Sequence, residues 1–403
     1  MQPGWRRKRY VETGDPGPVA KIGWIVLVCL MMWPAPPAMA QEPSEAHPQY
    51  LDLRAGLGVG LQYVIPTVAE ERDARFQTMN SVNAYIRAGY FTIIADLAPR
   101  TAAWISLGAR RTAEAELADQ EDPNASRLVL GLQATGLHTE PLSWFGFEAG
   151  IIDTPWNQVS SNAWAANFVS SAPARRYGLV QTSDLGIDVF GEIPLSSFPI
   201  DYKAAFTNGE SEPTAENERY KGIQGAITFF PLPFSRYTTP LRTSLGYGYR
   251  AINDPPGPQR NNEHFLGLLF DYDAQIFTIG LETDLLIRRR MTNEAPAPFG
   301  LASLYFIYNP DPDWQVFIRG DARDNDLRNS SKYESSLKSL RFDRYLRADQ
   351  DGRLTVLSGF IVQFVSPIQV APYLEAVFYQ EPGPDGDLLA PTVTTNLAAF
   401  FRF

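Results

Sequence analysis

From Leu51 to Tyr63 the chain alternates: apolar residues occupy the odd positions, and the even ones hold Asp52, Arg54, Gln62 and glycines. A period of two sends successive side chains to opposite faces of a strand. One apolar and one polar face suit a sheet with hydrocarbon on one side and water or a packed lumen on the other. Comparable segments run over residues 76–96, 101–112, 127–138, 142–152, 184–193, 199–208, 220–231, 240–251, 264–273, 275–288, 298–309, 314–324, 351–366, 368–380 and 391–403, making about sixteen with the first. Leu281–Ile287 and Leu241–Arg250 show the alternation cleanly. Segments 298–309 and 351–366 are apolar on both faces and fit it less well. Segment 76–96 exceeds the ~9–11 residues of one bilayer crossing and is expected to project beyond it.

The connectors sort into two kinds in strict turn. Residues 64–75, 113–126, 153–183, 209–219, 252–263, 289–297, 325–350 and 381–390 form long connectors, mostly charged or rich in Pro, Gly and Asn. Leu97–Arg100, His138–Pro141, Pro194–Pro199, 232–239, Asp273–Ala274, Asn309–Asp313 and Ser366–Pro367 are short and turn-like. Long loops at one end and tight turns at the other predict an all-β fold: a transmembrane, antiparallel, up-and-down β-barrel over residues 51–403, with an even strand count and both ends on the periplasmic side. A soluble β-sandwich gives no reason for this sorting, and the ~40-residue repeat of a propeller is absent.

The last strand, Pro391–Phe403, carries Val393, Leu397, Ala399, Phe401 and Phe403 on one face, with Thr394, Asn396 and Arg402 opposite. It resembles the terminal signal strand of bacterial outer-membrane barrels. That resemblance implies recognition of Phe401 and Phe403 by the barrel-assembly machinery, and pairing of this strand with 51–63 to close the barrel.

The amino end has a separate character. Lys21 precedes the apolar run Ile22–Met32, prolines follow, and Ala38, Met39 and Ala40 stand before Gln41. This predicts a secretory signal cleaved after Ala40, so that residues 1–40 are extension and signal and 41–50 a short periplasmic leader. The one cysteine of the 403-residue sequence, Cys29, falls inside that signal. The exported chain then has no disulfide and depends on a closed hydrogen-bonded sheet. The expected setting is the outer membrane of a Gram-negative cell, in contact with lipid and lipopolysaccharide.

No apolar run approaches the ~20 residues of a spanning helix. A net charge of −10 argues against a nucleic-acid partner. Catalytic chemistry finds little support. Of the three histidines, His47 lies in the leader, His138 in an expected turn and His264 at a strand mouth. His264 with Asp271 or Asp273 is the one thinkable acid–base pair, and a solvated strand-end histidine is the simpler reading. The acidic run Glu114–Asp122 reads as a solvated loop. No catalytic residues, metal site or cofactor are expected.

Parity assigns a charged set to the lumen: Arg54, Arg87, Arg110, Glu148, Asp184, Asp188, Lys203, Arg242, Arg250, Glu282, Asp284, Arg319, Asp321, Arg323 and Glu375. Both signs are present, so no ring of one sign selects the opposite ion.

Residues 147–209 read Phe147-Glu-Ala-Gly-Ile-Ile-Asp-Thr-Pro-Trp156, then a stretch with Trp164, Phe168, Arg175 and Arg176, then Tyr177–Gly191 containing Ser183-Asp-Leu-Gly186, and finally Ile200–Gly209 ending in Asn208-Gly209. This resembles the porin family related to the phosphate-selective porins O and P, in which a third extracellular loop folds inward and narrows the channel. The resemblance implies a constriction at 153–183. The loop is also the longest aromatic-rich connector, and its rings would be costly in open water. Trp156, Trp164, Phe168, Arg175, Arg176 and Tyr177 are the candidate constriction residues, with both arginines facing Asp184 and Asp188. Family resemblance further implies a homotrimer. Phosphate specificity is not carried over, because the dense lysine series that would accompany it is absent. The expected function is passive diffusion of small hydrophilic solutes or ions through a water-filled pore. The alternatives are a channel specific for phosphate, other anions or sugars, and a non-conducting structural or adhesive barrel.

Overall fold

The computed structural model describes residues 51–65, 83–111, 128–195, 199–208, 221–231, 241–252, 261–274, 276–289, 297–311, 313–324, 353–365, 368–379 and 391–402. The expected signal and leader, the acidic run 114–122 and Phe403 lie outside them. Sixteen strands follow in order: β1 (Leu51–Ile65), β2 (Asn83–Ala98), β3 (Thr101–Arg111), β4 (Leu128–Leu142), β5 (Phe145–Asp153), β6 (Ser183–Ile193), β7 (Ile200–Thr207), β8 (Gly222–Phe229), β9 (Leu241–Ile252), β10 (Asn261–Ala274), β11 (Phe277–Arg289), β12 (Ala297–Asp311), β13 (Trp314–Asp324), β14 (Arg353–Val365), β15 (Ile368–Tyr379) and β16 (Thr392–Arg402). Each pairs antiparallel with its neighbours in sequence. β16 returns to β1, from Gly56↔Arg402 to Ile65↔Val393, and closes the barrel. Closure leaves the sheet without an edge, so every ladder can be satisfied within hydrocarbon.

The alternation read from the sequence decides which side chain faces where. On β12, Leu304 is 58% exposed between Ser303 at 0% and Tyr305 at 1%. Leu266, Leu281, Ile318, Leu374 and Leu397 belong to the same exposed outer face. An apolar exterior of this extent is suited to acyl chains and would be an aggregation hazard in water. A cation placed on it tests that assignment. Leu281→Arg is expected to lower the unfolding free energy in bilayers by ~2–4 kcal/mol, as for a basic residue near the membrane midplane. Urea titration in lipid vesicles measures it, and an unchanged free energy would place Leu281 off the lipid face.

The interior is less polar than parity suggests. Phe265 and Leu269 of β10, Leu286 of β11, Tyr305 and Ile307 of β12, Phe317 of β13, Leu357 and Ile361 of β14 and Tyr373 of β15 are buried in one cluster with residues of the loop that follows β5. This explains the two segments that were apolar on both faces. The outward residues of β12 and β14 meet the exterior, and their inward residues meet the loop.

Two histidine expectations are corrected. His138 lies within β4, which continues through a register shift at Thr139/Leu142 to a turn at 143–144. Proline is tolerated at such an irregularity, so Pro141 does not end the strand. His264 faces outward beside Tyr247, whereas Asp271 is buried on the other face of β10. Residues an odd number apart on one strand cannot share a site on one face, so the imagined acid–base pair does not form.

Candidate functional site

The loop from Thr154 to Thr182 starts where the sequence changes period. Asp153 ends β5, Thr154 is extended, and Pro155 occupies the first turn of helix α1 (Pro155–Ala163). Proline there has its φ pre-set and lacks only a donor that no helical partner would meet. Thr154 also ties the two legs of the loop together. Its N–H reaches Thr182 O at 3.1 Å and its Oγ1 donates to Gln181 O at 2.5 Å, while Asn157 Nδ2 donates to Thr182 O at 3.2 Å. A second short helix, α2 (Pro173–Arg176), again begins with proline.

The loop is fixed to one side of the interior by apolar sockets and buried polar bonds. Trp156, 1% exposed, lies flat against Gly246 of β9 and Gly267 of β10. These glycines are opposite one another in the ladder, so the wall carries no side chain where the indole sits. A Cβ on either would overlap the ring. Trp164 packs edge-on to Tyr305 and Phe317, with centroids 5.4 and 6.1 Å away, and its Nε1 donates to Ser170 O at 2.7 Å. Such edge-to-face contacts set ring edges against the electron-rich faces of their neighbours.

The polar anchors are equally covered. Ser160 Oγ lies 2.8 and 2.7 Å from the two carboxylate oxygens of Glu282, donating to the pair. Asp284 stands beside Glu282 and Trp156. Arg319 donates from Nε and Nη2 to the two oxygens of Asp321, both at 2.8 Å, and from Nη1 to Ser171 O at 2.7 Å. Its guanidinium also lies 4.9 Å from the Trp164 ring. Asp321 receives Ser303 Oγ at 2.6 Å and Tyr177 Oη at 3.1 Å. Arg176 pairs with Glu375 and donates to Ser170 Oγ at 2.8 Å. Burial alone would loosen the Arg176 proton, but Glu375 beside it wins and holds the guanidinium above its ordinary pKa. Burial, aided by Asp321, pushes the Tyr177 phenol up as well, so it remains the neutral donor its bond requires.

These contacts redistribute the expected residues. Trp156 and Trp164 are wedges against the wall. Phe168, Arg175 and Tyr177 retain partial or full exposure. Arg176 turns to Glu375, and Asp188 turns to Lys203 at 2.9 Å, so the anticipated facing of Arg176 and Asp188 is not found. Glu282, Asp284, Arg319, Asp321 and Glu375 lie under the loop. Lys203 also reaches Glu148 at 3.0 Å, and His138 lies 3.3 Å from the other oxygen of that carboxylate. Arg242 pairs with Asp271, Arg250 with Glu263 and exposed Arg54 with Asp52. Arg323 stands over the rings of Tyr177 and Phe299. Asp184 is buried at the start of β6. Arg87 and Arg110 sit on β2 and β3, their side chains outside the described residues, and Phe401 is half-buried on β16. The inner-wall aromatics Tyr305, Phe317 and Tyr373 were missed. Their signal was the double-sided apolarity of their neighbourhood.

No protein-family profile matches the chain, and none of the curated proteins matches it in sequence. Solved structures do. OmpT, expressed in the outer membrane of Vibrio cholerae, aligns with a TM-score of 0.57 at 11% identity, over 90% of this chain and 100% of that one. The anion-selective porin of Comamonas acidovorans gives 0.57 at 11%, over 88% and 100%. The outer-membrane channel DcaP of Acinetobacter baumannii gives 0.53 at 10%, over 89% and 99%. The chain has the fold of bacterial outer-membrane porins and channels.

Proposed function

We propose that this chain is an outer-membrane porin through which small hydrophilic solutes and ions diffuse passively, with the loop Thr154–Thr182 setting the width of the water-filled path. The observation that carries this reading is the one-sided anchoring of the loop. It packs against β7 to β16, while β1 to β4 present Gly56, Gly58, Gly60, Thr92 and Ser106, beside the rings of Tyr90 and Trp104, to the remaining lumen. Glycines and short hydroxyl side chains leave room and line it with groups that water and solutes can bond.

The inner face near the periplasmic turns also has a sign. Asp52, Asp96, Glu140, Glu148, Asp188, Glu192, Asp201, Asp271 and Asp273 stand there, against Arg54, Lys203, Arg242 and Arg402. Excess negative charge in a low-dielectric passage favours cations.

Refolded protein in planar bilayers tests both parts. Stepwise conductance with a reversal potential favouring K⁺ over Cl⁻ is expected. Deleting residues 160–175 is expected to raise the conductance about twofold or more, as the narrowest section widens. Folded protein that conducts nothing would end the porin reading and leave a plugged structural barrel, a role that the buried aromatic core would equally serve.

A further inference from the structure

We infer that the lumen holds a stacking site for pyranose sugars, formed by Tyr90, Phe400 and Phe168 where the loop tip meets the closing seam; the inference rests on the porin reading and specifies a solute class for it. The site begins with the glycines of β1. Gly56 stands opposite Tyr90 on β2, and Gly58 stands opposite Phe400 on β16. With no side chain between them on β1, rings from two strands that are not neighbours come together. Their centroids are 6.3 Å apart and their planes 31° from parallel. On the other side of Phe400, Phe168 of the loop adds a third ring at 6.0 Å and 30°.

These rings differ from the loop's anchors. Trp156 and Trp164 are 1% and 0% exposed, whereas Tyr90, Phe168 and Phe400 are each only half-buried. The loop already has its fixings in the tryptophan sockets and the Glu282, Asp321 and Glu375 bonds, so a partly wet aromatic strip adds little to its attachment. A strip of half-exposed rings, tilted about 30° from one another, is suited to a ligand with a weakly positive C–H face and polar edges. The faces of aromatic rings carry the negative part of their quadrupole and attract such C–H groups. Polar groups for the edges stand alongside. Thr92, two residues from Tyr90 on the same face of β2, shares a 2.8 Å hydrogen bond with Ser106, and the Arg402 guanidinium lies 5.9 Å from the Phe400 ring. A few oriented polar groups around an aromatic floor are the usual composition of a small-molecule site. A neutral cyclic polyol meets every one of these features. It also avoids the repulsion that an anion would meet from the acids near the periplasmic turns.

The test is inhibition of ion current through the refolded full chain in planar bilayers. Maltotriose is the probe, and sorbitol, a polyol without a ring, is the comparison. Saturable block by maltotriose and none by sorbitol at equal concentration is expected. Phe400→Leu and Tyr90→Leu, which keep apolar volume but remove a ring face, should each raise the half-blocking concentration about fivefold. Heat-modifiable mobility identifies correctly folded variants, and Tyr90 lies off the loop, so one variant remains informative if the other misfolds. Conduction without saturable block, or block that both leucine variants leave intact, overturns the site. Absence of conduction by folded wild-type protein instead defeats the porin reading on which it stands.

Discussion

Replacing Arg319 with methionine is expected to free the loop at a cost of ~3–5 kcal/mol, the range for breaking a buried ion pair from one side. Arg319 and Asp321 are both 0% exposed, and the guanidinium bonds both oxygens of the carboxylate, the Ser171 carbonyl and the face of Trp164. Methionine fills most of the volume but leaves Asp321 with hydroxyl donors alone. The sheet ladders do not pass through this contact, so the loss falls on docking of the loop and the barrel stays closed. Backbone amides of Val169–Tyr177 should exchange ~10²–10⁴ times faster, since their protection then reflects a weakened local equilibrium. The double substitution Arg319→Met with Asp321→Leu should restore much of the protection by removing the orphaned charge. Unchanged exchange in the single variant would show that the apolar sockets hold the loop without the ion pair.

The second large effect concerns those sockets. Trp156→Ala is expected to cost ~3–5 kcal/mol of loop docking, because the indole is almost wholly buried and its site is bare backbone that cannot collapse to fill the space. The reverse change probes the same fit from the wall. Gly267→Val sets a side chain where the ring lies, and overpacking of this kind costs ~1–3 kcal/mol. The two are expected to be strongly non-additive, since valine at 267 meets an obstacle only while Trp156 is present. Free energies of the four proteins from intrinsic fluorescence during urea unfolding in vesicles would measure the coupling, and simple additivity would mean that Trp156 does not occupy the glycine socket.

Most of the barrel was legible because its two faces see different solvents. That contrast writes a period-two pattern into nearly every strand, and the alternating connectors supply the topology. The pattern fails where the inward face is apolar too, on β12 and β14, and there the reason is the loop itself. The corner Thr154-Pro155-Trp156 marked where the loop leaves β5, but the sequence carries no sign of what it binds. Ser160 with Glu282, and Arg176 with Glu375, are partners separated by 122 and 199 residues. No local periodicity encodes such pairs. Glu282, Arg319 and Asp321 were expected to line the pore and are buried under the loop, because whether an inward charge meets water or a buried partner depends on the loop's path. His138 was misplaced for a smaller reason: Pro141 reads as a turn signal, and a ladder irregularity absorbs it.

The long separations between the loop and its anchors also order events in time. The loop is synthesised well before β11, β13 and β15, which hold its polar contacts, and before β16, whose Phe400 meets its tip. Until β9, β10, β12 and β13 exist, Trp156 and Trp164 have no finished surface to rest on, and contacts this distant along the chain form slowly. An assembling chain must therefore carry two unsheltered tryptophans until β9 to β13 are in place, and the tip of the loop finds Phe400 only when the last strand arrives.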